Sequence, residues 1–342
     1  MPPATIDDSG SLNMYDYSML ENDRAIMELL LKDNSTGSSL VWGTDDYNWR
    51  GPGFESDQPM NYLFVTLGGV IRPRTLKTVS EQRSRSREMA EVFTPPWVVN
   101  KQNNMADNQW VGRTDIFNHE TDRGWKTTAR ADLGEMPWEE YVRSERLEVC
   151  CGEAPYLTTR YDAVSGQTIP VRDRVGFLDR KLRIIGENVS DPVQWRDWAK
   201  VAFQNTYGYD YQGDNVLLSR ENLLLSYIDQ HEHWLNEEPP RSSILDVASI
   251  ISWNIWQMDG FTCTVPHSCD RVSNERFVSS GLRVSCPACK NGRGRHIGTY
   301  SRIKDWKAGR TITFESMMAT TNAPRKNSLE STVKNVLSLD NW

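Results

Sequence analysis

The sequence predicts an α/β protein with a Rossmann-like parallel sheet, a flexible N-terminal arm and a small Cys-rich insert. Three stretches carry that reading. Leu147–Leu157 (LEVCCGEAPYL) reads as a short strand running into a small-residue turn, the junction at which a parallel α/β sheet opens a ligand cleft. Tyr207–Asp210 (YGYD) ends a second strand, and Asn215–Leu235 follows as a helix with Leu217, Leu218, Leu224, Leu225, Ile228 and Leu235 at helical spacing, stopped by Pro239–Pro240. After Pro266 the chain turns Cys-, Ser-, Arg- and Gly-rich until about Gly298. The predicted organisation is an arm over residues 1–60, an α/β domain over 61–260, an insert over 261–300, and terminal strands with a polar tail over 301–342.

Within the arm, only Glu21–Lys32 has helical character, and Gly, Ser and Asp surround it. Asn61–Ile71, rich in β-branched and aromatic residues, reads as a strand ending at Gly68–Gly69. Pro95–Pro96 stiffen a turn that starts a helix at Val98–Val99, with Thr94 as its cap. Ile244–Trp256 is apolar and compatible with helix or strand. Thr299–Trp306 and Thr311–Phe314 read as short strands.

Composition excludes several classes. The 342 residues carry 39 Lys and Arg against 46 Asp and Glu, a net charge of −7, so nucleic acid would have to meet a local basic patch. Mean hydropathy is −0.61. The longest mostly apolar run, Tyr62–Ile71, is about half of a membrane span. The polar, acidic start of the chain reads as neither secretory signal nor transit peptide; a cytoplasmic location without membrane contact is the expectation. Six Cys in such a setting point to metal ligands or buried thiols before disulfides.

The order FTPPWVV, then LEVCCGEAPYL, resembles the S-adenosylmethionine-dependent adenine DNA methyltransferases of restriction–modification systems. More closely, NYLFVTLGGVIRPRTLK, EMAEVFTPPWVVN, LDRKLRII, YGYDYQGDN, SWNIWQMDG and SRIKDWK are similar to the proteins called restriction endonuclease subunit M. The resemblance implies a methyltransferase-like sheet in which Phe93, Thr94 and Pro95 pack over the methionine end of the cofactor. It places Glu148, Cys151, Gly152 and Pro155 around the cofactor's amino-acid and ribose parts. Asp210 is the candidate for the ribose hydroxyls, since a carboxylate accepts from both, and Asp259 for the adenine amino group. It also implies double-stranded DNA as substrate, N6 of adenine as the methyl acceptor, and a companion modification or restriction subunit.

This chain departs from the family in one motif. The Asn-Pro-Pro-aromatic loop that holds a flipped adenine is replaced at its nearest match by Thr94-Pro95-Pro96-Trp97. Those four residues are weak catalytic candidates and better read as the cofactor lid. The alternative function is therefore a non-catalytic cofactor- or DNA-binding subunit that works with a partner chain.

Cys263, His267, Cys269, Cys286-Pro-Ala-Cys289 and His296 form a further constellation. The Cys-x2-Cys turn presents two thiolates to one tetrahedral ion. The predicted zinc ligands are Cys263, His267, Cys269, Cys286 and Cys289. Arg83, Arg85 and Arg87, within the run that starts at Arg72, and Arg293 and Arg295 beside the cysteines are candidate phosphate contacts or solvated faces.

Overall fold

The computed structural model describes residues 17, 20–66, 70–88, 94–280, 285–292 and 294–320. The helices and strands in chain order are α1 (Arg24–Leu31), α2 (Tyr62–Thr66), α3 (Val79–Glu88), α4 (Pro96–Val111), β1 (Asn118–Thr121), β2 (Gly124–Thr127), α5 (Trp138–Val142) and β3 (Arg146–Val149). Then come α6 (Phe177–Asn188), α7 (Pro192–Gln204), β4 (Thr206–Asp210), α8 (Gly213–Leu235), α9 (Arg241–Asn254) and β5 (Ile255–Gln257). The chain continues through α10 (Ser268–Ser280), α11 (Pro287–Asn291), β6 (Arg302–Asp305), β7 (Arg310–Thr313) and α12 (Phe314–Thr320).

Three strands run parallel in the order β3-β4-β5, with Glu148 opposite Gly208 and Tyr209 opposite Trp256. Helices α6 and α7 connect the first pair, α8 and α9 the second. The sheet is small, and the other two, β1–β2 and β6–β7, are antiparallel pairs. The architecture is mixed α/β with small sheets.

Alternation along the strands sorts side chains by face. Ile255 joins the main helical core. Its neighbours Trp256 and Met258 join Tyr209, Ile303 and Phe314 on the face covered by β6–β7 and α12. Helix α8 is buried on nearly every side, and Gly213 at its start is a close approach: a Cβ there would lie 2.0 Å from the Val41 carbonyl oxygen. Buried Arg220 donates to the carbonyls of Lys32, Ser252 and Ile255 at 2.8–3.0 Å, tying α1, α9 and β5 together.

The arm differs from expectation. Met27, Leu30, Leu40 and Trp42 lie in the main core, and the Gln257 side chain exchanges hydrogen bonds of 2.9 and 2.8 Å with the backbone of Val41. Burial of that aromatic and aliphatic surface overrides the loop-like composition around it. Residues 1–16 lie outside the described residues. The expected strand at 61–71 is also revised. Asn61 Oδ1 accepts from Leu63 N at 2.9 Å and its carbonyl from Phe64 and Val65, so a polar cap starts α2 where β-propensity alone would extend the chain.

Candidate functional site

The carboxyl ends of β3, β4 and β5 bring four of the predicted cofactor residues close together. After Val149 the chain holds Cys150 at φ 52°, Gly152 at φ 54° and Ala154 at φ 61°. Left-handed backbone at non-glycine positions costs of order 1–3 kcal/mol each and concentrates at functional turns. Gly152 is free to adopt it, and a Cβ built there meets no atom within 4 Å, so open space lies before the turn. Its N–H donates to Asp210 Oδ2 at 2.9 Å, and Gln212 N donates to Asp210 Oδ1 at 2.9 Å. One carboxylate thus joins the β3 turn to the end of β4.

Glu148 is buried on the strand itself, its oxygens accepting from Tyr156 N at 3.3 Å and Leu157 N at 3.2 Å. Burial pushes its carboxyl up to about 8 against the pull of those two amides, with nearby Asp210 adding to the rise. Burial also raises Asp210, opposed by its amide donors, and raises the Cys151 thiol well above its ordinary value. Cys151 packs in the main core, which makes it a wall of the turn and no nucleophile. Pro155 is half-buried in the same turn.

The two family-like stretches meet. The Thr94 hydroxyl hydrogen-bonds Tyr156, whose own N–H rests on Glu148, and Asn103 on α4 donates to the Tyr156 carbonyl at 3.1 Å. Pro95, where Thr94 was expected, is the N-cap of α4, with Pro96 in the first turn. Proline suits that place because its missing N–H is not needed, and the Thr94 hydroxyl is left for Tyr156. Trp97 is exposed. Phe93 lies outside the described residues. Asp259 closes a tight turn after β5, accepting from Phe261 N at 2.8 Å, and Met258 N donates to the Asp210 carbonyl at 2.9 Å. It is therefore next to the edge, with its carboxylate engaged by its own turn.

The basic candidates divide. Arg83 and Arg87 are exposed. Arg85 is buried, donating to Asp214 at 2.7 and 3.2 Å and to Gln212 at 3.0 Å, so it is corrected from a phosphate contact to a core ion pair. Burial opposes the Asp214 charge, but Arg85 and Lys77 outweigh it and hold that carboxyl below its usual range. Arg295 pairs with Glu315 at 2.6 Å; Arg293 lies outside the described residues.

The cysteine constellation condenses into four residues. Cys269, Cys286, Cys289 and His296 place their ligand atoms within 4.8 Å of one another, an arrangement that could hold a metal ion. The three sulfurs stand 3.6, 3.7 and 3.4 Å from the same His296 Nδ1. One ring nitrogen sustains one hydrogen bond, so three sulfurs around it form a cage. Cys286 caps α11 and Cys289 lies in its single turn, while His296 N donates to Tyr300 Oη at 2.9 Å.

Two predicted ligands are corrected. His267 Nε2 donates to the Gly43 carbonyl at 2.9 Å, away from the cage. Cys263 packs against the cluster of Tyr209 and Trp256, its carbonyl held by Ser301 N at 3.0 Å. His296 takes the remaining ligand position. Its sequence signal is a histidine seven residues after the Cys-x2-Cys turn.

Among the described residues no helix is long and apolar enough to cross a membrane. Comparison with protein-family models, curated proteins and solved structures returns no match for this chain.

Proposed function

We propose that this chain is the cofactor-binding half of an S-adenosylmethionine-dependent DNA adenine methyltransferase, a modification subunit that acts on double-stranded DNA with a companion chain. The observation that carries the reading is the Glu148–Gly152–Asp210 turn at the carboxyl edge of a parallel sheet. Three parallel strands in sequential order with two helical crossovers are one βαβαβ half of a doubly wound fold, whose ligands lie beyond the carboxyl ends. The site residues fit the cofactor in two respects: open space before Gly152, and a buried carboxylate already oriented by two amides at Asp210. Asp210 would take the ribose hydroxyls through its remaining lone pairs, and the Gly152 turn would admit the amino-acid end. Thr94 and Pro95, held over Tyr156, would cover it. Bound cofactor supplies an electrophilic methyl group. The chain's own contribution is positioning, which can lower such a barrier by several kcal/mol.

The alternative, a non-catalytic subunit, is favoured by Thr94-Pro-Pro-Trp97 standing beside the cofactor turn as its lid, which leaves the base-holding motif to a partner. Calorimetric titration with S-adenosylmethionine tests the cofactor site in either case. Saturable one-to-one binding is expected, lost in Gly152→Val, which must adopt a left-handed backbone costing about 1–2 kcal/mol and fills the open space. A folded, metal-loaded chain that ignores the cofactor both alone and with its companion sinks the proposal.

Zinc is the metal we assign to the cage. Zinc–sulfur bonds of about 2.3 Å and zinc–nitrogen bonds of about 2.0–2.1 Å at tetrahedral angles put sulfur and nitrogen about 3.5 Å apart. The observed separations of 3.4–3.7 Å bracket that edge. Three thiolates and one imidazole fill all four positions, the pattern of a closed structural site.

A further inference from the structure

We propose that the open cleft between the first turn of α4 and the β1–β2 hairpin is a stacking site for a nucleobase of a single-stranded or extruded DNA segment. The cleft measures about 610 Å³, within the range of small-ligand sites. Trp97 and Trp125 line it from separate elements, one on the helix and one on β2. The Trp125 indole is oriented by donating from Nε1 to the Asp173 carbonyl at 2.9 Å. Trp97 keeps 37% of its surface exposed. Among the described residues neither ring stacks on another aromatic of the chain, so both keep a π-face for a planar partner.

The charges around the rings favour an anionic strand. The acids of the cleft are engaged within their own turns: Asp173 Oδ1 accepts from Thr127 Oγ1 at 2.6 Å, and Asp162 Oδ1 accepts from Val164 N at 2.8 Å. Arg123 and Lys126 on the hairpin are exposed and have no carboxylate partner among the described residues. Aromatic faces with adjacent cations are the elements by which proteins hold unpaired nucleic acid. The exposed Gln167 adds a donor and an acceptor for a base edge. The cleft opens three residues from Thr94, whose hydroxyl meets Tyr156 beside the cofactor turn.

The inference rests on the methyl-transfer reading for the identity of its substrate, and its test is kept separate by omitting the cofactor. Fluorescence anisotropy with a labelled single-stranded DNA 12-mer, with and without one central abasic position, reports binding by the full, metal-loaded chain. Trp97→Ala should weaken the intact probe by roughly 5- to 100-fold, Trp97→Phe should keep most of the affinity, and the abasic probe should respond little to either change. Arg123→Ala with Lys126→Ala should flatten the dependence on salt. The proposal fails if Trp97→Ala binds as wild type does, if the variants weaken both probes equally, or if the wild-type chain binds neither probe. A failure here with saturable cofactor binding leaves the methyl-transfer reading standing, and the reverse result leaves the cleft standing without it.

Discussion

The carboxyl edge of the parallel sheet and the Cys/His cage touch along one short ladder, yet different forces hold them. Asp259 bridges to Thr264, and Thr264 to Tyr300, which links the end of β5 to the loop that carries His296. Behind the edge stands the main core, with Leu157, Ile255 and the buried helix α8. Behind the cage stand only Cys269, Cys286, Ala288 and the flank of Ile297. Apolar burial can order the first region; the second has too little of it and depends on a bonded ion. A segment's chemistry-bearing residues can therefore be its ligands to a substrate or the substitute for its core, and the apolar surroundings distinguish the two.

The largest expected effect breaks the comparison at the metal. Chelation, or Cys286→Ser, should remove zinc and, with it, order worth roughly 10 kcal/mol of metal-coupled folding. Hydrogen exchange should then accelerate across residues 268–300 while β3–β5 stay protected. Simultaneous loss of protection in the sheet would show one cooperative unit where two are expected.

Next in size is the ion pair that anchors α3 to α8. Arg85→Ala leaves Asp214 buried and unpaired, and should cost about 3–5 kcal/mol in urea denaturation. Adding Asp214→Asn should recover much of that loss by removing the stranded charge. An Arg85→Ala chain of wild-type stability but weaker DNA affinity would restore the phosphate-contact role.

The smallest effect sharpens the account of the cofactor edge. Glu148 is raised from an ordinary carboxyl value of 4.5 to about 8 in the folded chain. A folded pKa above the unfolded one adds stability that is fully present below 4.5 and is lost as pH rises through about 8, because there the folded state must surrender a proton the unfolded state has already lost. Wild-type stability should therefore fall more than that of Glu148→Gln between pH 5.5 and 8, by at most about 3 kcal/mol. Parallel pH profiles for the two chains would show that Glu148 is ionised when folded.

How much was legible varied with how local the cause was. Helix 213–235 and the strands ending at Val149 and Asp210 follow from periodicity and their flanking breakers. The ambiguous stretch at 244–256 resolves as α9 running directly into β5, a junction periodicity marks poorly because both elements are buried. The stretch LDRKLRII reads as a charged surface face, whereas Asp179, Arg180, Lys181 and Arg183 are all buried. Their partners come from far along the chain: Arg180 pairs with Asp107 at 2.7 Å, and Lys181 donates to the Ser144 and Asn205 carbonyls at 2.6 and 2.9 Å. Buried charge is tolerated only with such partners, and partners 24 to 73 residues away are invisible to spacing.

The sequence by itself determined the local elements, the Cys-x2-Cys turn and the glycine turn at Gly152, because caps, breakers and side-chain period act over a few residues. Tertiary structure alone decided which histidine completes the cage, that Arg85 is an ion-pair partner in the core, and that Thr94 reaches the cofactor turn through Tyr156. Each of those outcomes depends on which distant groups are brought within about 3–4 Å, where hydrogen bonds, ion pairs and metal bonds take effect.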